Sequence, residues 1–310
     1  FMKQIFFLLT IFISFQSVNA EEREPYATEN RMPCEVFVKD RMPLFGDLHV
    51  HTALSLDANT QGTLNTPDDA YRYAKGQSLY LQPYKADGTG VRKSQLNQPL
   101  DFAAVTDHAE LLGEVRMCSD VGSSKYSSLQ CIAYRNFPKL SYFYMNAKAS
   151  MRKPLGFCGD SREFCLDAAQ EPWQETIQAA EDHYDRSSDC KFTSFVGYEW
   201  TGAIYSGNNL HRNIIFDNSN VPMEPVSFYE APTRKKLWSL LDETCHENCD
   251  YVVIPHNSNL SNGYMFEKPD QDELLIQSIK EPLVEIFQHK GSSECNINPN
   301  DPLCSFEQLP

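Results

Sequence analysis

The feature that most constrains this chain is a set of histidines and carboxylates closing short apolar runs. Phe45-Gly46-Asp47-Leu48-His49-Val50-His51 closes the first run and Asp101-Phe102-Ala103-Ala104-Val105-Thr106-Asp107-His108 the second. Phe195-Val196-Gly197-Tyr198-Glu199 and Tyr251-Val252-Val253-Ile254-Pro255-His256 are the third and fourth, and Val284-Glu285-Ile286-Phe287-Gln288-His289 is a weaker fifth. Each reads as a short buried strand with polar groups at its C-terminal end. In barrel-like α/β folds those ends converge on one face, where chemistry sits. Imidazoles and carboxylates gathered there are a ligand set for Zn²⁺, Mn²⁺ or Fe²⁺.

Residues 1–20 have the form of a secretory signal peptide. Met2-Lys3 is basic, Ile5 to Phe15 is apolar and Val18-Asn19-Ala20 is a small-residue cleavage site. The apolar core is too short to span a bilayer. The sequence therefore predicts a periplasmic or secreted protein without stable membrane insertion. The formal charge of −15 argues against nucleic acid and anionic lipid as partners. In an exported chain, ten cysteines read first as disulfides. Near-neighbour candidates are Cys158/Cys165, Cys245/Cys249, Cys295/Cys304 and Cys118/Cys131, with Cys34 and Cys190 left for a long span. A zinc site at Cys245 and Cys249 is the weaker reading, because the spacing fits no common zinc pattern.

Residues 21–41 read as an extended lead-in, and 42–310 as the domain that carries the strand ends. Thr66 and Pro67 are the N-cap and first residue of a helix. Lys85 to Asn97 reads as a loop. Residues 109–190, rich in aromatics and cysteines, read as a mostly helical insertion covering the site. Inside it Glu171-Pro172 is expected to open a helix with Trp173, Ile177, Ala180 and Tyr184 on its apolar side. His183 beside that stripe reads as a surface residue. Further helices are expected at Lys235 to Leu241 and Pro269 to Ile279.

His49-x-His51 on a strand puts both imidazoles on one face, where they can share a metal. That pattern alone is weak; its company gives it weight. Asp57 follows shortly, and then come Asp107-His108, Glu199, His211 and His256. Glu199, at the end of an apolar run beside Trp200, calls for a positive partner. Asp107 reads either as a ligand or as a carboxylate orienting His108. His289 reads as a substrate contact or an exposed strand end.

These residues carry a family resemblance. Phe45-Gly46-Asp47-Leu48-His49-Val50-His51-Thr52, with Ser55-x-Asp57-Ala58, resembles the first motif of the polymerase and histidinol phosphatase (PHP) metallohydrolases. Pro99 to Glu110 resembles the second motif. Together with Gly197-Tyr198-Glu199-Trp200-Thr201 and Ile254-Pro255-His256-Asn257-Ser258-Asn259, the wording is most similar to the exported PHP-like group called domain of unknown function 3604. The resemblance runs from about Met42 to Glu294. It implies an α/β fold, a distorted (β/α)₇ barrel holding two or three divalent ions. His49 and His51 would bind the first ion, and Glu199 would bridge to a second completed by His211 and His256. His108, with Asp57 where many relatives have histidine, would serve a third. The Asp-x-His or Asp-His motif that ends PHP domains has no counterpart after His256. With Phe1 standing ahead of Met2, this leads us to expect a fragment whose barrel is incomplete at the C-terminus.

The function expected from the sequence is an exported metal-dependent hydrolase, a phosphoesterase using a metal-bridging hydroxide on a small anionic ester. His211, His256 or Asp107 would shuttle protons, and Arg212, Lys290 and His289 would contact substrate. Two alternatives stand beside it: a carboxylic ester or carbamate hydrolase on the same cluster, and a metal- or ligand-binding protein without turnover. A disulfide-stapled surface protein with incidental histidines is a third reading. No Gly-x-Ser-x-Gly elbow or Gly-rich phosphate cradle is present, which argues against a serine nucleophile.

Overall fold

A computed structural model of the chain describes residues 31–36, 38–204, 207–245, 248–288 and 291–292. The expected signal peptide, Cys295 and Cys304, and His246, His289 and Lys290 lie outside the described residues. The architecture is mixed α/β. Strand β1 (Gly46–Val50) is followed by α1 (Leu56–Thr60), α2 (Pro67–Ala74), the hairpin of β2 (Leu79–Tyr84) and β3 (Gly90–Ser94), and β4 (Phe102–Val105). Next come the helices α3 (Leu112–Ser119), α4 (Leu129–Asn136), α5 (Pro138–Ser150) and α6 (Glu163–His183). Then follow β5 (Thr193–Phe195), β6 (Gly197–Trp200), β7 (Ala203–Ile204), β8 (Asn208–Asn209), β9 (Arg212–Phe216), α7 (Arg234–Thr244) and β10 (Tyr251–Pro255). The last elements are α8 (Gln271–Lys280), β11 (Phe287–Gln288) and β12 (Gly291–Ser292).

Two three-stranded sheets position the site. In one, β4 lies between β1 and β5 and all pairs are parallel. In the other, β9 lies between β6 and β10 and runs antiparallel to both. The run from Thr193 to Trp200 changes sheets at Val196, and a parallel bridge between His108 and Glu199 continues the contact between β4 and β6. Asn213 Nδ2 on β9 donates to Leu48 O on β1 at 3.0 Å. Ala104, Ile215 and Ile254 fill the space between the sheets, with Leu48 and Phe195 against them. The described strands do not form a continuous hydrogen-bonded ring, so no closed barrel is present among the described residues.

The larger core lies on the other faces of these strands. Val105, Tyr198, Trp200, Ile214 and Phe216 pack there against Trp173 and Ala180 of α6 and Leu237 and Leu241 of α7. The alternation along β9 decides this: Ile214 and Phe216 face one way, and Asn213 and Ile215 the other. The helices between β4 and β5 have a separate core of Leu111, Val115, Tyr134, Met145 and Leu155. Gly113 lets α3 approach α6 closely, because a Cβ there would meet the backbone carbonyl of Cys165.

Four disulfides are formed among the described residues: Cys34–Cys190, Cys118–Cys131, Cys158–Cys165 and Cys245–Cys249. They indicate an oxidising environment, and the Cys245/Cys249 pair is a disulfide and not a zinc site. No described helix is long and apolar enough to cross a membrane.

Three expectations need correction. The Lys85 to Asn97 loop contains β3, because Asp87-Gly88 turns the chain and Gly88 takes φ +79°. The helix around Trp173 begins at Glu163, with Pro172 inside it. Pro172 is buried within the helix, and that burial offsets the hydrogen bond its missing N–H forfeits. The fifth run is no buried strand: only Phe287–Gln288 is extended, and Val284, Ile286 and Phe287 are exposed. Thr66 caps α2 as read, through a capping box with Asp69.

Candidate metal centre

The exit ends of β1, β4, β6 and β10 and the entry end of β9 meet on one side of the two sheets. Because β9 runs against its neighbours, His211 arrives at its start while the other groups arrive at strand ends. The β1–β4 register slips between Asp47 and Val50, at His49, and so lets His49 and His51 converge. Asn257 takes φ +68°, which asparagine tolerates, and turns the chain directly after His256.

Five imidazoles form a closed circuit. Ring centroids lie 4.3 Å apart for His256 and His49, 5.1 Å for His49 and His51, and 4.6 Å for His51 and His108. His108 and His211 follow at 5.7 Å, and His211 and His256 close the circuit at 5.9 Å. Glu199, with no exposed surface, sits at its centre. Its Oε2 lies 3.3 Å from His49 Nε2 and 2.9 Å from His51 Nε2. Its Oε1 lies 3.4 Å from His108 Nδ1, 2.7 Å from His211 Nδ1 and 3.1 Å from His256 Nε2.

A second rank of groups holds the ring. His49 Nδ1 lies 2.8 Å from Glu285 and His51 Nδ1 3.0 Å from Asp57. A carboxylate on Nδ1 fixes the proton there and turns the Nε2 lone pair inward. Ser55 Oγ and the Ala58 N–H donate to Asp57, each at 2.7 Å. His108 Nδ1 is 2.6 Å from Thr201 Oγ1.

Burial disfavours the Glu199 anion, but His108, His256 and His211 outweigh it and hold the carboxyl well below the usual range. Asp57 is likewise held far down, by His51 and His108 against its burial. Burial opposes the His49 cation, yet Glu199 and Glu285 raise its pKa to about 9. Burial pushes Asp107 up to about 6 and moves His256 down. Positive charge on the imidazoles, or on cations held by them, balances the buried carboxylates of the ring.

The donor set fits metal ions. Two groups have donor atoms within 4.8 Å of one another: His49, Glu199 and His256, and His51, His108 and Glu199. Glu199 is common to both. The edge of a tetrahedral site with bonds of about 2.0–2.1 Å is roughly 3.3 Å, close to the separations around Glu199. His256 is fully buried; its Nε2 faces Glu199 at 3.1 Å, and its Nδ1 has no hydrogen-bond partner among the described residues. Several imidazole nitrogens crowding one buried carboxylate suit ligation better than a satisfied core. A third grouping, Glu114 with Cys158 and Cys165, is not a candidate because those cysteines form a disulfide.

The profile of the family described as "Protein of unknown function (DUF3604)" matches residues 38–310. The chain belongs to this family. No curated protein and no solved structure matches it. In this DUF3604 chain, His49, His51, Asp57, His108, Glu199, His211 and His256 are brought together. His49 and His51 share Glu199 Oε2, and His211 and His256 share Oε1 with His108.

Two expected site residues are elsewhere. Arg212 shares its side of β9 with Ile214 and Phe216, so it points into the outer core. Its side chain is 1% exposed, with Nε 2.6 Å from Glu281 and Nη1 donating to Leu210 O. It makes no wall of the cleft. Asp107 neither enters the ring nor bonds His108; it accepts from the Thr52 N–H at 2.5 Å and Thr52 Oγ1 at 2.6 Å, fixing the turn after His51. His183 ends α6 and lies 2.8 Å from Asp68.

Glu285 is the functional residue the sequence reading missed. Its signal was present in the alternation Val284-Glu285-Ile286, and its N–H donates to Pro255 O, which seats it beside His256. An open cleft of about 770 Å³ runs between Asp47, His49, His51 and Asp57 on one side and Leu283 to Glu285 on the other.

Proposed function

We propose that this protein is an exported metal-dependent hydrolase of the PHP type, acting on phosphoesters. The observation that carries the reading is Glu199, a buried carboxylate common to both donor groups, with Oε2 beside His49 and His51 and Oε1 beside His108, His211 and His256. His49, Glu199 and His256 would hold one divalent ion, and His51, His108 and Glu199 a second, with His211 beside Glu199 Oε1 available to either. Zinc, manganese and iron all suit nitrogen and carboxylate donors. When bound, such ions supply Lewis acidity: they acidify water and offset charge on a phosphoryl oxygen.

The chain's own residues do the rest. Asp57 and Glu285 orient His51 and His49. Asp107 and Thr52 fix the backbone that carries His51. The cleft beside His49 and His51 is deep enough for a small ester and opens to solvent for its release. His211, across the ring from His51 and outside both three-residue donor groups, is placed to accept or return a proton. Its incomplete ring of strands is consistent with a distorted (β/α)₇ barrel.

Elemental analysis of the purified chain, with assays on aryl phosphate and aryl acetate esters, tests the reading. The expected result is about two metals per chain and phosphate release, both lost in Glu199→Gln. Metal-free protein would reject the centre. Metal without turnover of either ester would make it a binding site, and turnover of the acetate alone would redirect the substrate class.

A further inference from the structure

The formal charge of −15 conceals an uneven distribution. Between residues 121 and 159 there is no Asp or Glu, while Lys125, Arg135, Lys139, Lys148, Arg152 and Lys153 all fall there. This stretch builds α4 and α5. None of the six pairs with a carboxylate among the described residues. Arg135 lies over Tyr126, Lys125 over Phe164 and Lys148 over Tyr144, so three of the cations rest on aromatic faces.

The same hairpin turns apolar side chains to solvent. Leu140, Phe143, Tyr144 and Met151 follow one another at helical spacing along the outer face of α5 and just past its end. Leu140 and Phe143 are each 70% exposed, and Leu129 at the start of α4 is 85% exposed. Between the helices opens an apolar cavity of about 330 Å³, lined by Leu140, Tyr144, Met145, Leu155 and Phe157 among others. Cys118–Cys131 ties α4 to α3, and Cys158–Cys165 ties the chain after α5 to α6, so the hairpin is stapled at both feet.

We propose that the α4–α5 hairpin is a peripheral docking surface for an anionic lipid bilayer. Basic side chains around an exposed apolar stripe are the pattern of helices that lie in a membrane interface. The cations meet anionic headgroups, and Leu140, Phe143 and Leu129 enter the acyl boundary. A second copy of this chain fits poorly, because it would set one positive hairpin against another. A polyanion would use the charges but leave the apolar stripe and cavity uncovered. The whole-chain charge argues against anionic lipid only at long range; within a Debye length of about 10 Å the local charge decides. The inner face of α5 carries Tyr142 and Asn146, which line the small space over Asp57 and His108. Docking would thus hold the ring of histidines about one helix diameter, roughly 10 Å, from the lipid.

Flotation of the intact, disulfide-bonded chain with vesicles tests this. One set is phosphatidylcholine alone, and the other is equal parts phosphatidylcholine and phosphatidylglycerol. Binding is expected to the anionic set only and to fall as salt rises. K139E/R152E/K153E should weaken it more than about a hundredfold, at roughly fivefold or more per residue. L140S/F143S should weaken it at unchanged charge. Both variants alter exposed positions, and an unchanged melting temperature checks their folding. Equal binding to the two sets, or binding that survives both variants, overturns the proposal. So does retention on heparin without vesicle binding, which would mark a polyanion site. Self-association abolished by F143S without vesicle binding would mark a second copy as the occupant, and also overturns it.

Discussion

Glu285 reaches His49 from 236 residues away, with its carboxylate 2.8 Å from Nδ1. The contact joins an irregular segment near the end of the described chain to the first strand. It places a carboxylate behind a histidine whose other nitrogen faces Glu199.

Glu285→Gln should therefore weaken metal binding about 10–100-fold while leaving the fold intact. Because Glu285 supports only His49, one ion should be lost before the other. Chelator competition with metal counting checks this, and simultaneous loss of both ions would contradict the assignment of Glu285 to one of them.

Removal of metal should lower stability. A ligand at a hundredfold excess over its Kd stabilises the folded state by about 2.7 kcal/mol. For a domain of this size that is a fall of about 5–10 °C in melting temperature after chelation. Glu199→Gln should melt at one temperature with or without chelator. A melting temperature of the parent chain that ignores chelator would count against the centre.

Glu281→Gln should destabilise the protein by about 3–5 kcal/mol, because it strands the buried Arg212 guanidinium. Denaturant unfolding measures this directly. A variant of unchanged stability with impaired ester binding would return Arg212 to the cleft, against its position in the outer core.

Glu114 gives a pH dependence. Its carboxyl is buried, and burial moves its pKa up from 4.5 although Arg162 Nη2 lies 3.5 Å away. A carboxyl with a raised folded-state pKa holds its proton more tightly in the fold. Its contribution is fully present below the unfolded pKa and is lost as pH rises through the folded one. Glu114→Gln should remove that loss, so the stability of the variant relative to the parent should increase with pH from about 4.5 upward. Thermal melts of both across that range check the sign, and a flat difference would show that Glu114 stays charged in the fold.

Much of the candidate site was legible because strands give a short-range signal. His49, His51, His108, Glu199 and His256 each follow an apolar run, and the run alone says that they end a buried element. Pairing was not legible. That β9 runs against β6 and β10, which brings His211 in from its N-terminal end, depends on contacts between strands far apart in sequence. Arg212 was misread for the same reason, since only the face of β9 tells whether it meets the cleft or the core. Glu285 was passed over because the alternation around it reads as a weak strand, whereas the segment is mostly irregular and exposed and only Glu285 turns back to the ring. Pro172 misled because proline favours the first turn of a helix, and here it is buried in the interior of α6. The helical stretch was visible in composition, but its charge was hidden in the average over the chain.

The antiparallel placement of β9 also bears on the order of assembly. Glu199 and His211 belong to neighbouring strands of one hairpin and can meet after closing a short loop. His51 meets Glu199 only across 148 residues, at an entropic cost of closure larger by roughly 2 kcal/mol. The centre of the ring is thus a local product of folding, and its rim a late one. An ion captured early would find Glu199 and His211 first, and would then serve as the point on which the distant strands close.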